Sequence, residues 1–295
     1  MSQNEVQFAG EFQLQRCELI SSSGMIADIT NIILEINLFE EIFKSTMTGS
    51  VIFVDTDNLI DNMPIVGQEF LAFKIFTPGL ARSDLDFDYS ENVFCVYEIG
   101  GRQSNTSSEV VELKICSPEL LRNERTRVSK SFESTVSETV LSLLKDPKYI
   151  NTKKDIFIES SLGVRKIVSP NFHPFSLIKN LSQEAIAYNN NAPHFLFFEN
   201  TRGFHFRSLQ SLYAEGISGQ YHYGDKGFED KYDSSGSSGK IAQGYKRILE
   251  LQTPQKNNSL LDINGGMLGS TLIMHDIYNK KYTKSIFSYF DNHDD

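Results

Sequence analysis

Apolar and polar residues alternate with a period of two through most of the first 117 positions. Ile32, Leu34, Ile36 and Leu38 are interleaved with Glu35 and Asn37, the pattern of a strand with one buried face. Val51 to Val54 is apolar on both sides, as in a strand covered on both faces. Phe70 to Phe76, with Leu71, Phe73 and Ile75 on one side, Val93 to Ile99 and Glu109 to Cys116 continue the pattern, and Phe12 to Leu19 is a poorer version of it. Turn formers separate these runs: Thr48-Gly49, Asn62-Met63-Pro64, Thr77-Pro78-Gly79, and Gly100-Gly101 with the polar stretch to Ser108. About six strands and one short helical turn near Asn58 predict a β-sandwich or small barrel.

At Ser117-Pro118 the pattern changes to a helix start with proline in the first turn. Thr135 and Glu138 have capping-box spacing, and Val136, Val140, Leu143 and Leu144 then line one helical face before Pro147. A second helix is predicted from His173-Pro174, with Ile178, Leu181, Ala185 and Tyr188 as its stripe and Asn189 to Pro193 as its stop. His194 to Glu199 and Gly203 to Ser208 read as a hairpin. Residues 214–244 are rich in Gly, Ser, Tyr and Asp and predict a flexible linker or surface loop. β pattern resumes at Ile248 to Leu251, Gly269 to Tyr278 and Ser285 to Phe290. The predicted class is therefore α+β, mainly β: a β domain at 1–117, an α+β domain at 118–213, the linker at 214–244 and a short C-terminal β region at 245–295.

Composition narrows the field. With 40% hydrophobic and 22% charged residues the chain can build cores, which excludes disorder as its main state. No run approaches the ~18 apolar residues of a membrane span, and the first residues lack a secretory pattern, so a soluble chain made in a cytoplasm is expected. Positions 1–117 carry 18 acidic and 6 basic residues, a balance of −12; 118–213 carry 9 and 13, a balance of +4; 214–295 carry 11 and 9, a balance of −2. So acidic a first third repels nucleic acid, and the basic excess of the middle is too small for a DNA-binding footprint.

The search for chemistry returns no constellation. Cys17, Cys95 and Cys116 form no CxxC pair and read as reduced core thiols. Asp84, Asp86 and Asp88 are spaced like a calcium loop, but Tyr89 and Cys95 stand where an EF-hand needs Gly and Glu. Glu40-Glu41 and Asp55, Asp57 and Asp61 read as solvated acids around a strand end. The six histidines, His173, His194, His205, His222, His275 and His293, have no metal-ligand spacing, although His194 and His205 could meet across their hairpin. Gly265 to Gly269 leads into a strand, unlike a phosphate-binding loop. The phenylalanines at 195, 197, 198, 204 and 206 could stack bases, but with only Arg202 and Arg207 nearby a core is expected. The sequence predicts no catalytic, cofactor-binding or metal-ligating residue and no cofactor.

The order of several segments resembles the baseplate hub proteins of contractile-tailed bacteriophages of T-even-like and cyanophage type. They are Phe43 to Asp55, Asn58-Leu59-Ile60 with Met63 to Glu69, Ser117-Pro118-Glu119 leading to Arg127 to Lys130, and Pro170 to Phe175 leading to Leu196 to Phe206. Together they span about Phe8 to Leu212, and more weakly the tail to Tyr289.

The resemblance implies a tail-tube-like antiparallel β-barrel or sandwich at 1–117, an inserted α+β domain, and part of a second tube-like domain at 245–295. It implies a structural virion protein and no enzyme: a homotrimeric ring that adapts the hexameric tail tube to the trimeric central spike. Expected neighbours are other baseplate and tape-measure proteins; DNA passes without specific binding, and no membrane is involved. The expected location is the tail baseplate, after assembly in the host cytoplasm. Two other classes stay open from the residues alone, a cell-wall hydrolase with a spatially assembled carboxylate pair and a carbohydrate-binding or adhesin module, though zero Trp weighs against the last.

Overall fold

Period-two alternation in the first third becomes one antiparallel sheet. A computed structural model describes residues 12–292 apart from 56–57, 64, 66, 68, 78–86, 105–108, 218, 224–245, 249 and 254–256. Its first eight strands are β1 (Gln13–Ile20), β2 (Ile26–Asp28), β3 (Ile33–Phe39), β4 (Thr48–Asp55), β5 (Phe70–Phe76), β6 (Phe87–Asp88), β7 (Phe94–Ser104) and β8 (Glu109–Cys116). They lie in the order β2-β1-β5-β7-β8-β4-β3, with β6 paired to β5. All are thus in a single sheet, and β2 and β3 are its open ends. Helix α1 (Leu59–Asn62) follows β4.

One core cluster takes inward residues from each long strand, among them Leu19, Phe53, Phe73, Val96 and Leu113, all with no exposed surface. Each such side chain contributes about 1.5–3 kcal/mol by leaving water. Strand β3 departs from the expected alternation. A bulge between Ile33 and Glu35 shifts its register against β4, so Ile33, Ile36 and Leu38 pack on the core while Leu34 is turned outward, 62% exposed. One extra residue in a strand reverses the facing of every later position in it.

Next come α2 (Pro118–Arg125), β9 (Val128–Ser134), α3 (Val136–Lys145), β10 (Ile156–Ile158), β11 (Arg165–Phe172), α4 (Pro174–Glu184), β12 (Phe195–Asn200), β13 (Gly203–Ser208) and α5 (Leu209–Tyr213). The capping box forms as expected: Thr135 Oγ1 accepts from Glu138 N at 3.2 Å and Glu138 Oε2 from Thr135 N at 3.1 Å. Val140, Leu143 and Leu144 of α3 and Ile178 and Leu181 of α4 share a second core with Phe197, Phe204 and Phe206. Strands β12 and β13 form the expected hairpin, and β10 joins β13 in parallel.

One local expectation is corrected. Helix α4 ends at Glu184, so Tyr188 is not on it; the chain instead turns extended, with Leu162 N donating to Ile186 O and Tyr188 N to Ser160 O. The antiparallel ribbon β9–β11 was not legible, because Ser129, Lys130 and Ser131 face Pro170, Ser169 and Val168 with little apolar alternation.

By contact the chain divides into two compact units, 12–222 with 246–247, and Tyr223 with 248–292, within the described residues. Two-residue strands β14 (His222–Tyr223) and β15 (Arg247–Ile248) are short remnants of the β pattern. The second unit contains α6 (Ser259–Asn264), the hairpin β16 (Gly269–Asp276) and β17 (Lys281–Ser288), and α7 (Tyr289–Asn292). Asp276 Oδ1 holds the hairpin turn by accepting from Tyr278 N and Asn279 N, both at 3.0 Å. Of the expected linker 214–244, residues 218 and 224–244 lie outside the described residues.

Candidate functional site

Most candidate residues are occupied in local structure. Asp55 accepts from Leu59 N and Ile60 N at 2.8 and 3.0 Å, which starts α1. Asp61 faces Arg102 at 3.5 Å and Glu41 pairs with Lys44 at 2.7 Å. Asp88 pairs with Lys74, and hydrogen bonds from Lys74 and then Ser90 hold its carboxyl down at about 2. Asp57, Asp84, Asp86 and His293 lie outside the described residues.

Among the described residues the histidines do not converge. Hairpin register sets Phe198, not His194, opposite His205, while the His194 carbonyl accepts from Leu209 N. His205 is stacked between Phe157 and Phe198, at 4.7 and 4.9 Å, and burial lowers its pKa. His173 Nδ1 lies 2.9 and 3.1 Å from the carbonyls of Asn123 and Thr126, so it carries the proton and donates. Gly265 caps α6, and the glycine run ends in β16. Among the described residues no group of three His, Cys, Asp or Glu could hold a metal, and no helix is long and apolar enough to cross a membrane.

Among the described residues, charge is buried in a cluster that the sequence does not predict. Lys154, in the loop before β10, places Nζ 2.9 Å from Glu119 Oε2 of α2 and 2.6 Å from Glu199 Oε1 of β12. Glu199 Oε2 accepts from Met47 N, at the entry to β4, at 2.9 Å, and Thr152 donates its hydroxyl to Glu119 Oε1 at 2.6 Å. All three charged side chains are nearly buried. Nearby, Glu40 Oε1 accepts from Thr201 N at 2.6 Å. The cluster therefore fastens the first sheet to the α+β layer.

Burial is the largest influence on both partners. It raises the pKa of Glu199, which Lys154 only partly offsets; it works downward on Lys154, but Glu199 and Glu119 together outweigh it and leave the ammonium above its ordinary value. No sequence spacing announces this cluster. Its members are 35 and 45 residues apart, and only the fold brings them together.

Beside it lies a cavity of about 240 Å³, bordered by Met47, Tyr89, Phe94, Lys154, Glu199 and Arg202. The Tyr89 phenol is pushed well above its usual range by burial. The two carboxylates here already hold an ammonium and backbone or hydroxyl donors, so they are committed to binding this chain's own groups. Neither is arranged as a general base beside a nucleophile.

All three cysteines are buried and unpaired in the sheet, with Cys95 opposite Cys116 across β7 and β8. Burial pushes Cys17 and Cys116 up to about 12 and Cys95 to about 11. Thiols that are buried and protonated do not attack disulfides. Ellman's reagent is expected to titrate less than one thiol per native chain, and all three after denaturation in guanidinium; rapid reaction of two or more in the native protein would contradict the sheet core.

The fold defines a mainly β, α+β protein built on antiparallel sheets, whose buried charges tie its own elements together. The chain resembles phage baseplate hub proteins. It is 22% identical over 258 residues to a protein of Vibrio phage KVP40 described as "Probable baseplate hub protein gp334"; the match takes in 87% of this chain and 58% of the relative's length. No family model matches.

Among solved structures, a 43 kDa tail protein of prophage MuSo2 from Shewanella oneidensis superposes with a TM-score of 0.46 at 9% identity, over 71% of this chain and 57% of the other. An Escherichia coli component of the type VI secretion system, itself described as similar to T4 tail proteins gp27 and gp5, does so with a TM-score of 0.41 at 13% identity, over 72% and 51%.

Proposed function

We propose that this chain is a structural subunit of a phage tail baseplate, located in the virion after assembly in the host cytoplasm. In this reading it is a hub protomer: three copies form a ring that joins the hexameric tail tube to the trimeric central spike, next to other baseplate and tape-measure proteins. The observation that carries it is the sequence match to a probable baseplate hub protein along 87% of the chain. The relative is longer, so its whole assembly is carried over here as part of the proposal.

In this reading residues 1–117 are a tail-tube-like domain, 118–213 an α+β insert, 214–244 a linker, and 245–295 part of a second tube-like domain. The −12 balance of residues 1–117 suits a bore that lets DNA slide past without sticking. Glu119 and Glu199, held by Lys154 within this chain, weigh against the hydrolase reading.

Mass measurement in solution followed by negative-stain imaging tests this. Threefold rings that do not retain duplex DNA at ~0.15 M salt are the expected result. A chain that stays monomeric at every concentration, firm duplex binding by the ring, or clearing in a cell-wall zymogram would overturn it.

A further inference from the structure

A two-stranded hairpin alone is at best marginally stable in water, and three or more strands or a packed partner are needed to hold one. Among the described residues of its unit no third strand pairs with the hairpin β16–β17, and the one-turn helix α7 packs against β17. Every residue of β16 is exposed, and apolar side chains stand on both faces: Leu272, Met274 and Phe287 on one, Ile273, Tyr282 and Ile286 on the other. Ile273, Tyr282 and Ile286 are 65, 74 and 70% exposed. Apolar surface of this extent marks an interaction site.

A matching surface exists on the first sheet. Strand β3 is its end strand and pairs only with β4 among the described residues, leaving one edge of backbone donors and acceptors open. At seven residues it fits an eight-residue strand of the hairpin. Its outward side carries the exposed Leu34 and Phe39 beside Glu35 and Asn37, which bond to each other, and its inner face adjoins the core through Ile36 and Leu38. Added at this edge, a hairpin apolar on both faces finds apolar neighbours on both.

Charge selects the occupant. Around the edge stand Glu35, Glu40 and Glu41 with Lys44, which pairs with Glu41, a balance of −2, whereas the hairpin carries Lys280, Lys281 and Lys284 against Asp276, a balance of +2. Two β3 edges meeting each other would set carboxylates together, which disfavours that pairing. We infer that the β16–β17 hairpin of one copy adds its Lys-bearing strand β17 to the β3 edge of a second copy. Each copy then offers one of each surface, so the contact is head to tail and closes into a ring if the rotation allows. This rests on the ring reading and specifies its contact.

Sedimentation of the full chain tests it. K281E/K284E is expected to weaken self-association at least tenfold, and E35K in the same chain to recover part of it. Wild-type association of K281E/K284E, or no recovery with E35K, overturns the inference; threefold rings persisting in K281E/K284E would do so while leaving the ring reading intact. Independently, chains bearing Leu34→Cys and chains bearing Ile286→Cys are mixed with a short bismaleimide. A cross-linked heterodimer is expected. Its absence overturns docking between copies.

Discussion

Lys154→Met is expected to destabilise the protein by about 3–5 kcal/mol at neutral pH, the scale on which removal of one partner strands a buried charge. The substitution keeps most of the volume of the side chain and removes its ammonium. Glu119 and Glu199 are then left facing the same desolvated space, with only Thr152 and the Met47 N–H as donors. The pH dependence gives the effect its signature. Burial already raises Glu199 with Lys154 in place, and without Lys154 its folded pKa rises further above the unfolded value. A carboxyl raised in this way stabilises the fold below its unfolded pKa, about 4.3, and that contribution is lost as pH rises through the folded pKa. The variant should therefore approach wild type near pH 4 and fall behind it steadily toward pH 7. Urea unfolding at both pH values is the measurement; an equal deficit at each would mean that lost packing, not stranded charge, is the cause. Pairing the change with Glu199→Gln should recover part of the loss.

Gly203→Ala is expected to cost more than an ordinary surface substitution, on the order of 3 kcal/mol, from two sources. Gly203 closes the β12–β13 turn at φ +137°, where L-residues are strained by about 1–3 kcal/mol. A Cβ there would also lie 2.2 Å from the Asp155 carbonyl oxygen, and that atom is backbone, so it has no rotamer through which to retreat. The Phe204 N–H donates to the same carbonyl at 2.9 Å, so moving it breaks the entry to β13. Thermal unfolding of the full chain would show the loss as a lowered midpoint. An unchanged midpoint would mean the turn has another conformation.

Strands β1, β3, β5, β7 and β8 were legible because one face of each is buried, which imposes a two-residue period, and β4 because its apolar run is covered on both faces. Helices α2 and α3 announced themselves through Pro118 and the Thr135–Glu138 box, local signals that need no tertiary context. The losses have physical causes. Strand β2 has three residues, too few for a period. The ribbon β9–β11 is written in Ser and Lys because its outer face meets water. Tyr188 continues a helical stripe in sequence, but backbone bonding to Ser160 outcompetes another turn of α4. Leu34 obeys the alternation, and a bulge overrules it. The Lys154 cluster was invisible for a different reason: each member alone resembles a surface charge, and only long-range closure makes it a buried one.

The bond from Met47 N–H to Glu199 bridges 152 residues. Loops of that length close late, because the entropy of bringing their ends together must be met before any contact rewards it. During synthesis the first sheet leaves the ribosome long before Glu199 does. The N–H at the entry to β4 therefore waits for its acceptor until 152 further residues have been added, and a nascent or truncated product ending before β12 is expected to carry a frayed sheet that proteases can reach.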